Sequence, residues 1–272
     1  MTETTPLPLM TVDIGNSRIK LGEFTAPDEF SAPGDGGDLP QPTRTLQMST
    51  PTWEPVEIAL WLAPQKPRDF QWLCASVHQA AADKMQAWLA DEVGTGSVRV
   101  LQNDDLPITV DVEHPEAVGI DRLLAAVAAN RLRPPECPAV VIDLGTAITV
   151  DVVSREGKFC GGAILPGVEM SAKALHEYTD RLPQSEMSEL DEPPPALGSS
   201  TDEAITSGLY WGAVGAIRAL IGQLNKDMPV QPLAILTGGA ARRVADLLEV
   251  PARYEEHLVL AGMAITAARR NV

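Results

Sequence analysis

The sequence predicts a mixed α/β protein made of two similar halves. The first observation is a strand, a turn of the form Asp-x-Gly followed by a small polar residue, and a second strand at residues 9–24. The second is that the same plan recurs at residues 139–153. A supersecondary unit repeated at this distance indicates two related domains. We therefore expect one α/β domain over residues 9–134 and a second over residues 138–272.

Apolar runs and helical spacing predict the elements of the first half. After the opening hairpin, residues 25–43 are rich in proline, glycine and aspartate and predict an exposed loop. Short apolar runs predict strands, and amphipathic stretches after a proline or a capping serine predict helices. The expected elements are a strand at 44–48, a helix at 55–62, a strand at 70–75, a helix at 78–92 capped by Ser76, a strand at 98–101 and a helix from 121 onward.

The second half is expected to follow a similar order. Gly161 and Gly162 lie in its third strand, and residues 181–200 form a second exposed, proline-rich loop. Thr201 is expected to cap a long helix with a stripe of small residues, which permits close packing between subunits or within the chain. The further elements are a strand at 158–165, a helix at 168–178, a strand at 233–236, a Gly-Gly turn at 238–239 and a closing helix at 258–268.

Composition restricts the class of protein. The chain has 272 residues, 44% of them hydrophobic, and a formal charge of −16 from 37 acidic and 21 basic residues. A surface this acidic argues against binding to nucleic acid or to an anionic membrane. A few local cations can still bind a small anionic ligand. Neither a signal peptide nor an apolar segment of membrane-spanning length is visible, so we expect a cytoplasmic protein.

The three cysteines have no metal-binding or disulfide spacing. Cys74, Cys137 and Cys160 are odd in number, far apart and in no Cys-x-x-Cys pair. We interpret them as buried thiols of a reducing compartment.

The first turn has the side chains that a nucleotide phosphate needs. Asp13 places a carboxylate at a strand end, where it can hold a metal ion directly or through water. Gly15 allows close approach of the backbone. Asn16 and Ser17 add neutral donors and Lys20 adds a cation. The alternative is an ordinary hairpin turn, but the second such turn at Asp143 favours a duplicated phosphate site.

A second candidate is the helix start at Gly119. Asp121 and Arg122 lie in its first turn, where the helix dipole favours a carboxylate and a nearby substrate anion. The functional interpretation makes Asp121 a general base and Arg122 a residue that steers a polar substrate. The alternative is that Asp121 only caps the helix.

A series of short motifs occurs in a fixed order over nearly the whole chain. They are residues 13–20, Gly-Ile-Asp-Arg at 119–122, Asp-Leu-Gly-Thr-Ala at 143–147, Gly-Gly-Ala-Ile-Leu-Pro-Gly at 161–167, Leu-Pro at 182–183, residues 201–208 and Thr-Gly-Gly-Ala at 237–240. The ordered set resembles the type III pantothenate kinases, within the superfamily of actin, heat-shock chaperone ATPases and sugar kinases. The resemblance implies a homodimer of chains with two ribonuclease-H-like domains and a cleft between them.

The resemblance also implies an activity. The expected protein is a nucleotide-binding phosphotransferase with an alcohol acceptor, which phosphorylates pantothenate to 4'-phosphopantothenate with ATP. This reaction is the first step of coenzyme A biosynthesis. Magnesium and a monovalent cation, potassium or ammonium, would be the cofactors.

Site roles follow from the same resemblance. It assigns the monovalent cation to Asp143 and makes Asp121 the base for the pantothenate hydroxyl. The ATP phosphates and magnesium are assigned to Asp13, Ile14, Gly15, Asn16, Ser17, Arg18, Ile19 and Lys20, with a further ATP contact at Thr146. The residues expected at pantothenate are Gly119, Ile120, Asp121, Arg122 and, near the dimer interface, Thr201. The chain departs from the family at Val112, where many members have a tyrosine.

Two other functions fit the same sequence. The chain could be another small-molecule kinase of the superfamily, or a catalytically idle regulatory relative. An idle copy has no chemical need for the full set of charged and polar residues, which speaks against it. That set is Asp13, Lys20, Asp121, Arg122, Asp143 and Thr146.

Overall fold

A computed structural model describes residues 7–25, 37–187, 192–228, 230–239, 241–248 and 251–268. These residues form two compact units. Unit 1 takes the described residues up to Pro135, the short segment Gly157–Phe159 and those from His257 onward. Unit 2 takes Glu136–Glu156 and the described part of Cys160–Glu256.

The regular elements alternate between hairpins and strand–helix units, as the apolar patterns predicted. In chain order they are β1 (Leu9–Ile14), β2 (Arg18–Phe24), β3 (Arg44–Ser49), α1 (Pro55–Leu62), β4 (Gln71–Ser76), α2 (Gln79–Val93), β5 (Val98–Val100), α3 (Ile120–Leu132), β6 (Ala139–Leu144), β7 (Ala147–Val153), β8 (Phe159–Pro166), α4 (Val168–Glu177), α5 (Thr201–Asp227), β9 (Leu233–Thr237), α6 (Ala241–Val244), β10 (Ala252–Tyr254) and α7 (Leu258–Ala268).

Both units contain a five-stranded sheet with one plan. In unit 1 the order is β3-β2-β1-β4-β5, and in unit 2 it is β8-β7-β6-β9-β10. The first two strands pair antiparallel, and the fourth strand adds parallel to the first in each sheet. The predicted duplication of the chain into two α/β halves is therefore confirmed.

Alternating side chains of β1 give unit 1 two apolar layers. Met10, Val12 and Ile14 face one side, where they pack with the buried residues of α1 and α2. On the other side of the sheet α7 crosses β2, since a β-carbon on Gly22 would lie 3.1 Å from Leu260. In unit 2, the core on β6 includes one face of α5 with Val214, Ile217 and Ile221.

The closing helix α7 belongs to unit 1, although the sequence-based boundary placed it in the second domain. Its residues from Leu258 to Thr266 are all buried, and it crosses α3 closely. A β-carbon on Gly262 would lie 2.0 Å from the carbonyl oxygen of Leu124, so only glycine fits at this crossing. A helix that is apolar all round must be enclosed, but its sequence does not say by which domain.

Two predicted caps lie on neighbouring residues instead. Helix α5 is capped by Ser200, whose hydroxyl accepts from the Glu203 N–H at 3.2 Å, so Thr201 is its first helical residue. Helix α2 is capped by His78, whose Nδ1 accepts from the Ala81 N–H at 3.2 Å, whereas Ser76 is the last residue of β4. The cap is the last residue before the first helical turn, and its backbone is still extended at both Ser200 and His78. The position of the cap therefore depends on where each helix begins, which differs from the expected position by one or two residues.

Three further expectations concern the burial of the thiols and the two predicted loops. Of the thiols, Cys74 is buried, Cys137 is half-buried and Cys160 is exposed, so the prediction of buried thiols is wrong for Cys160. Alternation along the edge strand β8 turns Cys160 outward. The predicted loops at 25–43 and 181–200 lie partly outside the described residues, which omit 26–36 and 188–191.

Helix α5 is long and apolar enough to cross a membrane by length and composition, contrary to the sequence expectation. About a third of its apolar window, 33%, is buried within the chain. The core helices of globular proteins can have the same length and composition.

Candidate active site

The first turn joins β1 to β2 and holds two opposite charges on one face. Asp13 lies directly opposite Lys20 in the antiparallel register, and both are half-buried. Side chains at opposed positions share a sheet face and have β-carbons about 4.5–5.5 Å apart. Ile14 and Ile19 instead point into the core, with 1% and 0% exposure, so they can offer a ligand only their backbone. Asn16, Ser17 and Arg18 are exposed.

The backbone carbonyls of this turn accept hydrogen bonds from the protein itself. The Gly15 N–H donates to the carbonyl of Arg18 at 3.0 Å, and the Val77 N–H donates to that of Ile14 at 3.0 Å. Thr50 donates its hydroxyl to the carbonyl of Gly15 at 2.9 Å and its N–H to that of Ser17 at 3.0 Å. Carbonyl oxygens engaged in this way are kept from facing an anion. The turn can therefore present donors to a phosphate.

Thr50 contacts this turn although nothing in the sequence indicates it. It follows β3, 35 residues after Gly15, and lies in the stretch Ser-Thr-Pro-Thr, which has no recognisable site pattern. Only the strand order, which brings the end of β3 beside the turn, shows what it contacts.

The second candidate, at the start of α3, has the predicted form. Asp121 is half-buried in the first turn, and its Oδ1 accepts from the Arg122 N–H at 2.8 Å. The cap of α3 is Gly119 and Asp121 is the second helical residue, so the alternative that Asp121 only caps the helix is not met. Asp121 shares the Arg122 N–H with the carbonyl of Gly119, which accepts from it at 3.1 Å. A carboxylate has two oxygens and several acceptor positions, so this bond orients the group without using its whole capacity.

Two of the predicted substrate residues have clear positions around Asp121. A β-carbon on Gly119 would lie 2.5 Å from Oδ1 of Asp121, so the glycine gives the carboxylate its place. Arg122 extends over the ring of Phe159, with 5.4 Å from its Cζ to the ring centroid. Ile120 is buried.

Val112 follows a segment that pairs with Phe159, the residue on whose ring Arg122 lies. Its neighbour Asp111 donates its N–H to the carbonyl of Phe159 at 2.8 Å, and Val110 pairs with Phe159 in a bridge.

One residue links the first turn to the start of α3. Val77 donates its N–H to the carbonyl of Ile14, and its Cγ1 would lie 3.8 Å from a β-carbon on Gly119. The structure thus brings the turn that begins after Ile14 and the helix start that carries Asp121 to neighbouring positions in unit 1.

The second turn, in unit 2, is enclosed by glycines. Asp143 pairs with Thr149 on one side and with Thr237 on the other. Gly238, at φ 94°, approaches so closely that a β-carbon would lie 2.5 Å from Oδ1 of Asp143. Gly167 donates its N–H to the carbonyl of Thr146 at 3.0 Å. Gly238 and Gly167 therefore approach the turn itself, whose Gly145 and Thr146 stay exposed.

Thr201 is exposed at the start of α5 in unit 2, whereas Gly119 to Arg122 lie in unit 1. The residues before it are fixed by Glu203. Its carboxylate accepts from the hydroxyl and the N–H of Ser199, each at 2.6 Å. These bonds from Ser199 lower the pKa of Glu203. The helix start beside Thr201 therefore carries a carboxylate that favours its charged form.

No group of three or more acidic, histidine or cysteine side chains is placed to hold a metal ion within the described ranges. Magnesium in kinases is usually held by one or two carboxylates together with substrate phosphates and water. Asp13, beside the donor-rich turn and opposite Lys20, fits that arrangement.

Comparison with known proteins identifies a family whose members match most of the chain. The family model described as type III pantothenate kinase matches residues 9–223. A type III pantothenate kinase of Chlorobaculum parvum is 33% identical over 262 residues, covering 93% of this chain and 92% of that protein.

Solved structures share the fold at lower identity. A Campylobacter jejuni protein assigned to the Baf family of transcriptional activators is 21% identical, with a TM-score of 0.58, and covers 97% of this chain and 100% of its own. A Sinorhizobium meliloti protein assigned as a 2-dehydro-3-deoxygalactonokinase is 13% identical, with a TM-score of 0.54, covering 96% and 99%. These likenesses confirm the predicted two-domain α/β fold shared with sugar kinases. The family match over residues 9–223 establishes that the chain belongs to the type III pantothenate kinase family.

Proposed function

We propose that the chain transfers the γ-phosphoryl group of ATP to the hydroxyl of pantothenate, with Asp121 as the base. The observation that carries this assignment of roles is the link through Val77, which sets the start of α3 beside the first turn. A phosphate turn and a carboxylate at neighbouring positions are what transfer to an alcohol requires.

The first turn would bind the ATP phosphates. Phosphoryl transfer passes through a loose transition state, and catalysis consists of positioning and charge stabilisation. Lys20 would neutralise phosphate charge, while Asn16 and Ser17 and the turn backbone would donate hydrogen bonds. Asp13 would hold magnesium, which when bound neutralises charge on the β- and γ-phosphate oxygens. Arg18 is exposed at the rim of the turn, and Ile14 and Ile19 would act by anchoring it in the core.

Asp121 would accept the proton of the attacking hydroxyl. The Arg122 N–H fixes its Oδ1 at 2.8 Å, and Gly119 leaves room for the carboxylate. A positioned base contributes about 10²–10⁴-fold to the rate. Arg122, resting on Phe159, would attract the pantothenate carboxylate, and Gly119 and Ile120 would contact the acceptor.

The second turn is assigned a further ATP contact and the monovalent cation. Thr146 is exposed and would contact ATP, and Asp143 would bind potassium or ammonium. A single carboxylate beside backbone carbonyls suits a weakly bound monovalent ion, and Gly238 packs against that carboxylate.

A second copy of the chain would pack on α5. Gly208, Gly212, Gly215 and Gly222 recur at spacings of three, four and seven, which places them on one helix face. Within the described residues, a β-carbon at any of them would meet no atom within 4 Å beyond its own helix backbone and chain neighbours, so packing within this part of the chain does not require glycine there. Small residues on an open face permit close approach of another helix, and Thr201 begins the same helix. We propose a cytoplasmic homodimer that binds neither nucleic acid nor membrane.

The test is a coupled assay with ATP, magnesium, potassium and pantothenate, run beside Asp121→Asn. We expect turnover by the wild type and a loss of about 10²–10⁴-fold in kcat for the variant. Binding of a non-hydrolysable ATP analogue should persist in the variant. Asp91→Asn, at an exposed position of α2, is the matched control and should behave as the wild type.

Other outcomes would overturn the proposal. ATP consumption with a different hydroxylated acceptor, and none with pantothenate, would make the chain another kinase of the superfamily. ATP binding without turnover on any acceptor would make it an idle relative. Full activity of Asp121→Asn would remove Asp121 as the base.

A further inference from the structure

We infer that Thr50 is a positioning residue for ATP binding, which acts by holding the first turn in one conformation. The inference rests on the proposed role of that turn as the phosphate site. Thr50 is 5% exposed and would not touch the nucleotide. It makes two hydrogen bonds to the turn, because its hydroxyl donates to the carbonyl of Gly15 and its N–H donates to the carbonyl of Ser17.

The segment that carries Thr50 is itself firmly anchored. The N–H groups of Thr52 and Trp53 both donate to the carbonyl of Ser49, which closes a tight turn after β3. Trp53 is 2% exposed in the core. Lys84 of α2 donates to the Trp53 carbonyl at 2.6 Å and lies 4.6 Å from the centre of its ring. Thr50 is thus fixed to the core and can impose its geometry on the turn.

The second unit has a counterpart for one of the two hydrogen bonds that Thr50 makes. Gly167 is the residue that follows the third strand of its sheet, as Thr50 does in unit 1. It too donates its N–H to a carbonyl of its turn, that of Thr146, at 3.0 Å. A glycine has no hydroxyl, so Gly167 cannot make the second bond. The backbone bond from the residue after the third strand to the turn is therefore common to both units. The side-chain bond from the Thr50 hydroxyl is an addition in unit 1.

The added bond has a specific consequence for a phosphate site. It engages the carbonyl of Gly15, the residue whose backbone is expected to approach the phosphates most closely. Without the Thr50 hydroxyl, that carbonyl has lost a partner and the turn can rotate its peptide toward the ligand. If a smaller fraction of the molecules has the turn in the conformation that binds ATP, the apparent ATP affinity falls by the same factor. The acceptor site is unaffected.

The experiment compares Thr50→Val, which removes only the hydroxyl, with Thr50→Ser, which keeps it. We expect Thr50→Val to raise both the KM for ATP and the Kd of a non-hydrolysable ATP analogue by about 5- to 30-fold. The KM for pantothenate should change by less than about twofold, and Thr50→Ser should restore the wild-type values. If Thr50→Val does not fold, Thr50→Ala makes the same test with no added methyl group.

Two threonines of the same sheet serve as matched controls. The hydroxyl of Thr43 also donates to a strand carbonyl beside a backbone bond, that of Glu23, but at the far end of β3. Thr11 is fully buried and donates to the carbonyl of Gly22. Thr43→Val and Thr11→Val should lower thermal stability as much as Thr50→Val or less, without its effect on ATP.

The inference is overturned if Thr50→Val binds the analogue as tightly as the two controls, or if both substrates' KM values rise together. Analogue binding needs no acceptor, so this result is separate from the identity of the substrate. A wild type that binds the analogue but ignores pantothenate would overturn the proposed function alone. A wild type that fails to bind the analogue would overturn both.

Discussion

The carboxylate of Asp121 occupies the space that a side chain at Gly119 would need. An added β-carbon would lie 2.5 Å from Oδ1 of Asp121, well inside any normal contact distance. Because that oxygen ends a short side chain, the carboxylate can move aside at little cost to the fold. A larger residue at position 119 would thus displace the proposed base and leave the helix intact.

Gly119→Ala should therefore reduce turnover by about 10²-fold, since a displacement of about 1 Å at a reacting group can cost that much. ATP-analogue binding and thermal stability should stay close to wild type. Steady-state kinetics and calorimetry measure the two effects. Gly96→Ala is the control, because a β-carbon there meets no atom within 4 Å. Unchanged kcat in Gly119→Ala would show that the position of Asp121 is not critical.

The two thiols at the extremes of exposure should differ sharply in reactivity. Burial raises the pKa of Cys74 to about 12, so almost none of it is thiolate at neutral pH. Cys160 is exposed on β8. Brief treatment with iodoacetamide followed by peptide mass spectrometry should label Cys160, and label Cys74 only after denaturation. Labelling of native Cys74 at the rate of Cys160 would contradict its burial.

Glu203 should contribute to stability in a pH-dependent way. Its bonds from Ser199 lower its pKa in the folded chain from the ordinary value of 4.5. The contribution is therefore fully present above pH 4.5 and is lost as the pH falls through the lower, folded value. We expect Glu203→Gln to have a lower Tm than the wild type near neutral pH, with the difference shrinking in acid.

The comparison for Glu203 is Glu169→Gln, an exposed glutamate in the first turn of α4. Thermal melts from pH 7 down to about pH 3 cover the titration range of carboxyl groups. A Tm difference for Glu203→Gln that stays constant across that range would argue against the bonds to Ser199.

Two substitutions at Gly212, on the open glycine face of α5, should have different effects on stability and on dimer formation. Gly212→Ala should stabilise the separated monomer, in which this helix face meets water, by up to about 1 kcal/mol through helix propensity. Gly212→Leu should keep the fold but block close approach of a second helix. Sedimentation velocity should then show monomer for Gly212→Leu and dimer for the wild type. Equal sedimentation of both would remove this face from the subunit interface.

Much of the fold could be predicted because its signals are local. The paired hairpins at Asp13 and Asp143 and the amphipathic helices follow from residues close together in sequence. The common sheet order of the two units then follows from the repeat. The capping residues differ from prediction because Ser76 and Thr201 were judged by residue type, whereas a cap depends on where the backbone leaves its strand or loop conformation.

The missed features depend on packing between distant segments. Thr50 has no motif around it, and its role is visible only once β3 lies beside β2. The number and spacing of the cysteines predict buried thiols, but they do not show that Cys160 lies on β8, an edge strand with one open face. The positions of Gly119 and Asp121 were predicted correctly, yet the steric relationship between them needed coordinates.

The return of α7 to unit 1 has a consequence for the order in which the protein is made. Synthesis proceeds from the N-terminus, so β1 to β5 and α3 emerge first and must wait while the whole of unit 2 is added. Until α7 emerges, the groove beside Gly22 and Leu124 that it fills is open to water. Unit 2 is complete before that point and can fold first, although domains ordinarily fold from the N-terminus onward. A released chain that ends at Glu256, and so lacks α7, should therefore contain a protease-resistant second unit and a protease-sensitive first one.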